Sequence, residues 1–282
     1  TMMMDIRPAG ADDLAGFYRG LAAAGVWYAE DMLVPDAGHV RLVREAGLSG
    51  RTSLWADPAG FRSMDGDARE AVTGLKVWAD GALGARTAAL SAPYLDGSEG
   101  FLIYEDGEME AFVSEAALFE KALAIHALGD RAVEQALSVL ERMGDAGAPL
   151  PPVRLEHCQF ITPRQAGRAV RMGLVLSMQP NFSVDSTVYS DRLAPGFPER
   201  NNPFRMLVDE AGLRPGVDLL FGSDGMPSGL PEALESALFP PFESQRLSLE
   251  EFTAGYCAGG GPSIELSVDD EEGKVRMEGA GR

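Results

Sequence analysis

Lysine is scarce in this sequence of 282 residues: Lys76, Lys121 and Lys274 are the whole complement, and every other cationic side chain is an arginine. Histidine is as rare, with three, and the two cysteines, Cys158 and Cys257, stand far apart. Two distant thiols in a chain of this size do not make a disulfide framework, so a reducing, cytoplasmic setting is expected. No apolar run approaches the roughly 18 residues that a membrane span needs, and Thr1 to Gly10 carries no basic stretch leading into an apolar one. Neither a membrane partner nor a secretory leader is expected. Positive charge is also short: 24 basic against 43 acidic residues leave a formal charge of -19. That excludes nucleic acid as a partner, because phosphate binding needs clustered cations and a polyanion would be repelled. The shortage of lysine has two sufficient causes, arginine-favouring codons or an acidic surface suited to a salty cytoplasm, and both stay open.

What is present is enough apolar residue, 45%, to bury one substantial core. Glycine and proline follow no short period, so collagen-like and low-complexity chains are excluded. Leu14, Phe17 and Leu21 recur at helical spacing behind Asp12 and Asp13 and before Gly25, which predicts a helix over 12–24. Short, apolar, branched segments predict strands at Val26–Leu33, Arg51–Ala56, Leu75–Ala79, Ala122–Ala127, Val153–Cys158, Leu174–Met178 and Val217–Gly222. Helices alternate with them: His39–Ala46, Met109–Phe119, the stripe Val133, Leu137, Leu140 and Met143, a start at Pro163, Pro203–Ala211, and two more near Pro231 and Ser248. Residues 81–107 and 183–202 read as irregular.

Seven such strands predict an α/β protein. A doubly wound nucleotide-binding sheet is the rival, but no glycine-rich phosphate fingerprint follows the first strand. The polar residues favour a barrel. Lys76 lies inside the third strand with Asp80 at its end, and His126, His157, Gln179 and Asp224 end the four strands that follow. Chemistry gathered at the C-terminal ends of many parallel strands is the plan of a β/α barrel. Each residue also has a plainer reading: His126 and His157 as core histidines, Asp224 in Phe221-Gly-Ser-Asp-Gly225 as a turn residue, Lys76 as a stem reaching out to an acidic helix. Lys76 is the most demanding, since an amine within an apolar strand is costly unless paired or chemically altered.

Five segments, in order, resemble a known set of strand-end motifs: Gly74-Leu-Lys-Val-Trp-Ala-Asp-Gly-Ala-Leu-Gly-Ala-Arg-Thr-Ala88, Ile125-His-Ala-Leu-Gly-Asp-Arg-Ala132, Arg154-Leu-Glu-His-Cys-Gln159, Ser177-Met-Gln-Pro180 and Gly222-Ser-Asp-Gly225. The set is that of the amidohydrolase superfamily, and within it the amidohydrolase 3 group, which includes N-substituted formamide deformylases. A weaker likeness at Gly25-Val-Trp-Tyr-Ala-Glu-Asp31 extends the resemblance to about residues 12–260. It implies a distorted (β/α)8 TIM-like barrel with a divalent metal, zinc or a similar ion, at its C-terminal mouth. By position it implies that Lys76 is the lysine that becomes carbamylated, that His126 and His157 are ligands, and that Asp224 is a ligand or proton shuttle. Asp80, Arg86, Thr87 and Gln179 then shape the pocket or orient the ligands.

The departures carry expectations of their own. No His-x-His pair occurs in the sequence, no histidine follows Gln179-Pro180, and His39 stands alone on a helix. The expected architecture is therefore an incomplete barrel of about seven strands over residues 1–261, followed by a tail or hairpin over 262–282. In that tail Ile264 to Met277 turns at Asp270 to Gly273. One divalent ion per chain at most is expected. The expected activity is metal-dependent hydrolysis of a carbon-nitrogen bond, amide or formamide-like, in a small molecule. The alternative is a catalytically impaired or truncated homologue kept for binding or regulation. An open barrel wall would be filled by Thr1–Arg7, or would pair with another copy of the chain or with a complementing N-terminal fragment.

Overall fold

The computed structural model describes residues 9–225, 229–257 and 262–280. The first half of the chain folds as α1 (Ala11–Ala23), β1 (Ala29–Val34), α2 (Ala37–Glu45), β2 (Thr52–Ala56), α3 (Pro58–Ser63), α4 (Gly66–Ala71), β3 (Gly74–Trp78), α5 (Asp106–Leu118) and β4 (Ala122–Ala127). Then come α6 (Asp130–Asp145), β5 (Val153–His157), α7 (Pro163–Arg171), β6 (Val175–Met178), the short helix α8 (Asp185–Val188) and β7 (Leu219–Phe221). Helices α9 (Leu230–Leu238) and α10 (Leu249–Tyr256) and the strands β8 (Ile264–Asp269) and β9 (Lys274–Ala280) complete it.

Polar caps start many of these helices. Asp36 accepts the His39 N–H at 3.0 Å to open α2, and Asp57 followed by Pro58 at the first helical position opens α3. Asp65 opens α4, and the reciprocal pairs Thr162 with Gln165 and Ser248 with Glu251 open α7 and α10. The two short helices α3 and α4 are a finding: the crossover from β2 to β3 carried no apolar stripe to announce them, only their aspartate caps.

The seven parallel strands pair in the order in which the chain makes them, β1 to β7. A doubly wound sheet would reverse direction partway, so that rival is set aside. The sheet is curled into an open half-barrel, since residues of β1 and of β7, its two edges, line one and the same groove. A backbone hydrogen bond from Leu230 N–H to the Ala24 carbonyl, 2.9 Å, ties the two sides together. The predicted filler of the wall, Thr1–Arg7, lies outside the described residues.

Helices cover the convex face. In α6 the residues Val133, Ala136, Leu137 and Leu140 are fully buried, and each large aliphatic side chain of this kind contributes about 1.5–3 kcal/mol on leaving water. A second, smaller core of Leu83, Leu90, Tyr94, Phe160 and Phe197 holds the long loop after β3 against the ends of the neighbouring strands. The predicted hairpin is present as β8 and β9, turned at residues 270–273 and tied to α9 by Lys274 Nζ to Glu235 Oε1 at 2.8 Å.

Boundaries differ in places from those predicted. β1 begins at Ala29 rather than Val26, and β7 shrinks to Leu219–Phe221. The helix expected at Pro203–Ala211 is wound as a π turn over Met206–Glu210, with Ala211 N–H reaching the Met206 carbonyl at 2.9 Å. The stretch 183–202 is irregular, as expected, but contains α8 and a 3-10 turn at Pro198–Arg200.

Candidate functional site

Alternation along parallel strands sends every second side chain to the concave face. That rule places Lys76 and Trp78 of β3, His126 of β4, Arg154 and Glu156 of β5 and Ser177 of β6 in one groove of about 1650 Å³. His157 should then face the opposite way, beside Leu155. It does not, because the chain turns left-handed at His157 (φ 71°) and again at Cys158 (φ 48°), which swings the imidazole back over the groove. Asp224, after β7, has a left-handed φ of 50° too. Uncommon backbone at these three positions, two of them lining the groove, is the kind of local strain that a surrounding structure must hold in place.

The two imidazoles meet edge to face, with ring centroids 4.4 Å apart. His157 Nδ1 lies 2.7 Å from Gln179 Oε1 and 4.0 Å from Asp224 Oδ2. Gln179 donates its own amide to the Ser177 carbonyl at 3.4 Å, so its oxygen faces the ring and His157 Nδ1 is the donor. The lone pair of His157 is thereby left on Nε2. His126 is set the other way round. Its Nε2 is 2.9 Å from the Gly81 carbonyl, which can only accept, and its lone pair is left on Nδ1.

Burial pushes both histidines down to about 3, helped at His126 by His157 and at His157 by the Lys76 amine. Both rings are neutral near pH 7, the form that binds metals. Lys76 is almost fully buried and hydrogen-bonds to none of the described residues. Burial lowers its pKa, against the pull of Glu156 and Asp224. Burial raises Asp224, against the attraction of Lys76.

The other predicted residues sit differently. Asp80 is fully buried behind His126 and accepts the backbone N–H groups of Ala89, Leu128 and Gly129 at 2.8, 2.9 and 2.9 Å. Burial raises its pKa to about 6 in spite of those three donors. Its Oδ1 is 3.4 Å from His126 Nε2. Arg86 pairs with Asp96 at 3.3 Å, and Thr87 Oγ1 accepts the Ala82 N–H at 3.0 Å, so both shape the loop after β3 and neither lines the groove. Gln179 stands on His157.

Sequence reading passed over the charged groups around Lys76. Arg154 lies over the Trp55 ring and pairs with Glu30 at 2.7 Å and Glu156 at 2.5 Å. The signal was available: Arg154 and Glu156 are charges at alternate positions of an otherwise apolar strand, the same anomaly that singled out Lys76.

Two neutral imidazoles whose lone pairs have no partner among the described residues, beside a carboxylate, suit a zinc-like ion in kind. Among the described residues no three of His, Cys, Asp and Glu already converge as a cage.

The family model of the amidohydrolases matches residues 9–237. The chain belongs to the amidohydrolase family. Among curated proteins, YtcJ of Bacillus subtilis (strain 168), which carries amidohydrolase in its name, is 35% identical over 115 residues, 38% of this chain and 20% of YtcJ. The Arabidopsis thaliana protein LONG AFTER FAR-RED 3 is 30% identical over 115 residues, 40% of this chain and 20% of its own length. Among solved structures, an uncharacterised metal-dependent hydrolase from Pyrococcus furiosus superposes with a TM-score of 0.72 at 22% identity, over 90% of this chain and 56% of that one. One from Pyrococcus horikoshii OT3 gives 0.64 at 24%, over 82% and 49%. The solved likenesses show the barrel framework, and the matches span a fifth of the two curated relatives and about half of the two solved ones.

Proposed function

We propose that this amidohydrolase cleaves a carbon-nitrogen bond, of amide or formamide type, in a small molecule held in the groove above β3 to β7. The observation that supports it best is the His126–His157 pair, 4.4 Å between centroids, with each ring fixed by a hydrogen bond so that its free nitrogen is predetermined. In this reading a single divalent ion, zinc or a relative, is held by His126 Nδ1, His157 Nε2, Asp224 and Lys76. The lysine takes part as a carbamate: its uncharged amine adds to carbon dioxide with loss of one proton, and the cation-repelling group becomes an oxygen donor.

A bound ion supplies Lewis acidity, polarising a carbonyl and making water a stronger acid. The chain's own groups do the rest. Asp224 Oδ2 takes the proton from the attacking water and returns it to the departing nitrogen. Gln179 holds His157 in its tautomer, and Arg154 holds Glu156 in the wall beside Lys76. The acidic surface disfavours polyanionic substrates.

Metal analysis of the purified protein, with zinc and manganese offered, should find at most one ion per chain. Formamides, N-acyl amino acids and cyclic amides are the substrates to assay. Turnover should vanish in Asp224→Ala and His126→Ala while the fold survives. Two tightly held ions per chain, or turnover indifferent to both substitutions, would overturn the reading.

A further inference from the structure

Asn202 belongs to neither of the strands whose ends it touches. It lies between the 3-10 turn Pro198–Arg200 and the π turn Met206–Glu210, fully buried, with a left-handed φ of 46°. From there its backbone N–H donates to the Gln159 carbonyl at 2.8 Å, and its Nδ2 donates to the Gln179 carbonyl at 2.9 Å. Gln159 closes the left-handed segment that aims the His157 ring, and Gln179 is the residue whose Oε1 receives the His157 Nδ1–H. One residue therefore bridges the peptide that aims the imidazole and the residue that orients it.

The bracket is itself anchored. Asn202 Nδ2 also reaches Ser183 Oγ at 3.1 Å. Its neighbour Asn201 receives Gln159 Nε2 at 2.9 Å, and the Asn201 carbonyl receives Gln245 Nε2 at 2.9 Å. The Asn202 Oδ1 has no hydrogen-bond partner among the described residues, so what the side chain contributes is its donor. Asparagine meets both demands of the position: it tolerates left-handed backbone better than other branched or bulky residues, and it carries an N–H donor on a short arm.

We propose that Asn202 is a positioning residue that sets the His157–Gln179 pair and, through it, the direction of the imidazole nitrogen offered to a metal. The proposal rests on the reading of His157 as a ligand. Groups that orient a metal-binding histidine through its second nitrogen commonly change metal affinity by 10–100-fold when removed, and Asn202 acts one hydrogen bond further out.

Two substitutions separate positioning from general support. Asn202→Gly keeps the left-handed backbone and the N–H to Gln159 while deleting the side chain, and Asn202→Asp keeps the shape but turns an acceptor toward the Gln179 carbonyl. The chain has three histidines, so the ring resonance of His157 is readily assigned in a nuclear magnetic resonance spectrum. Both variants should move that resonance, and both should hold zinc about tenfold less tightly against a chelator. An unmoved His157 resonance in both variants overturns the proposal. If the parent protein itself holds no zinc, the metal reading falls and the resonance alone decides the bracket. If neither variant folds, proton exchange in the parent decides: slow exchange at the Asn202 side-chain amide supports the bracket, and exchange at the solvent rate overturns it.

Discussion

His157 donates its Nδ1–H to Gln179 Oε1 across 2.7 Å, so a residue at one strand end decides the tautomer of a histidine on the strand before it. Gln179→Met keeps the volume and removes the acceptor. The ring is then free to place its proton on Nε2, and zinc retention against a chelator should fall at least about tenfold. Unfolding in urea should show a loss of only about 1 kcal/mol. Unchanged retention would mean that packing between His126 and Phe182 sets the ring, and not the amide.

Asp80 has a structural burden that its place in a motif conceals. Three buried backbone N–H groups end on its carboxylate, and Asp80→Ala orphans all of them. Roughly 3–5 kcal/mol of stability should be lost, from penalties of about 1–3 kcal/mol for each orphaned donor moderated by relaxation. Asp80→Asn should cost less, because one carbonyl oxygen remains. A urea midpoint for Asp80→Ala within error of the parent would remove the residue from this role.

His39 and Asp31 form a second, separate pair, with Nε2 and Oδ2 2.6 Å apart. The hydrogen bond to Asp31 raises the His39 pKa above 6.5, with Asp31 and Asp36 adding to it against burial. On Asp31, burial is outweighed by His39 and the Leu33 N–H, and its pKa falls below 3.8. The His39 contribution is therefore complete below its unfolded pKa and is lost as pH rises through the higher folded one. The Asp31 contribution is present above 3.8 and is lost only as pH falls through its lower folded value. Parent and His39→Gln should differ by about 1 kcal/mol near pH 5, and the gap should close as pH rises toward about 9. Denaturant melts across that range check it, and a gap that ignores pH would refute the pairing.

The surplus of carboxylates, formal charge -19, repels itself in the compact state. Salt screens that repulsion over a Debye length of about 10 Å at 0.1 M, so the melting temperature should climb between low and molar sodium chloride. A midpoint indifferent to salt would favour codon usage as the cause of the missing lysines.

Much of this was readable in the sequence because strands buried on both faces are short apolar runs. A charge inside such a run, as at Lys76, or a histidine at its end, as at His126, stands out. What was not readable is what long-range contacts impose. Nothing local in Glu-His-Cys foretells that His157 turns left-handed, since the turn is held by Asn202 and Gln179 from other parts of the chain. Asp80 was legible as a strand-end residue, but nothing local foretells that its oxygens take up backbone groups from two loops. Helices α3 and α4, six residues each, are too short to carry a full stripe, and only Asp57 and Asp65 marked them.

The strand order has a consequence for how the molecule is made. Each strand of the sheet pairs with the one synthesised just before it, so every ladder joins segments that leave the ribosome one after the other. Pairings between chain neighbours close smaller loops than pairings across the sheet would, which favours formation of each contact. The half-barrel can therefore grow from one edge in the direction of translation, with every new strand laid against an edge that already exists. Lys76, His126, His157 and Asp224 would enter the groove in that sequence, and Asn202 would arrive after His157 and before Asp224, late enough to fix a ring whose strand is already in place.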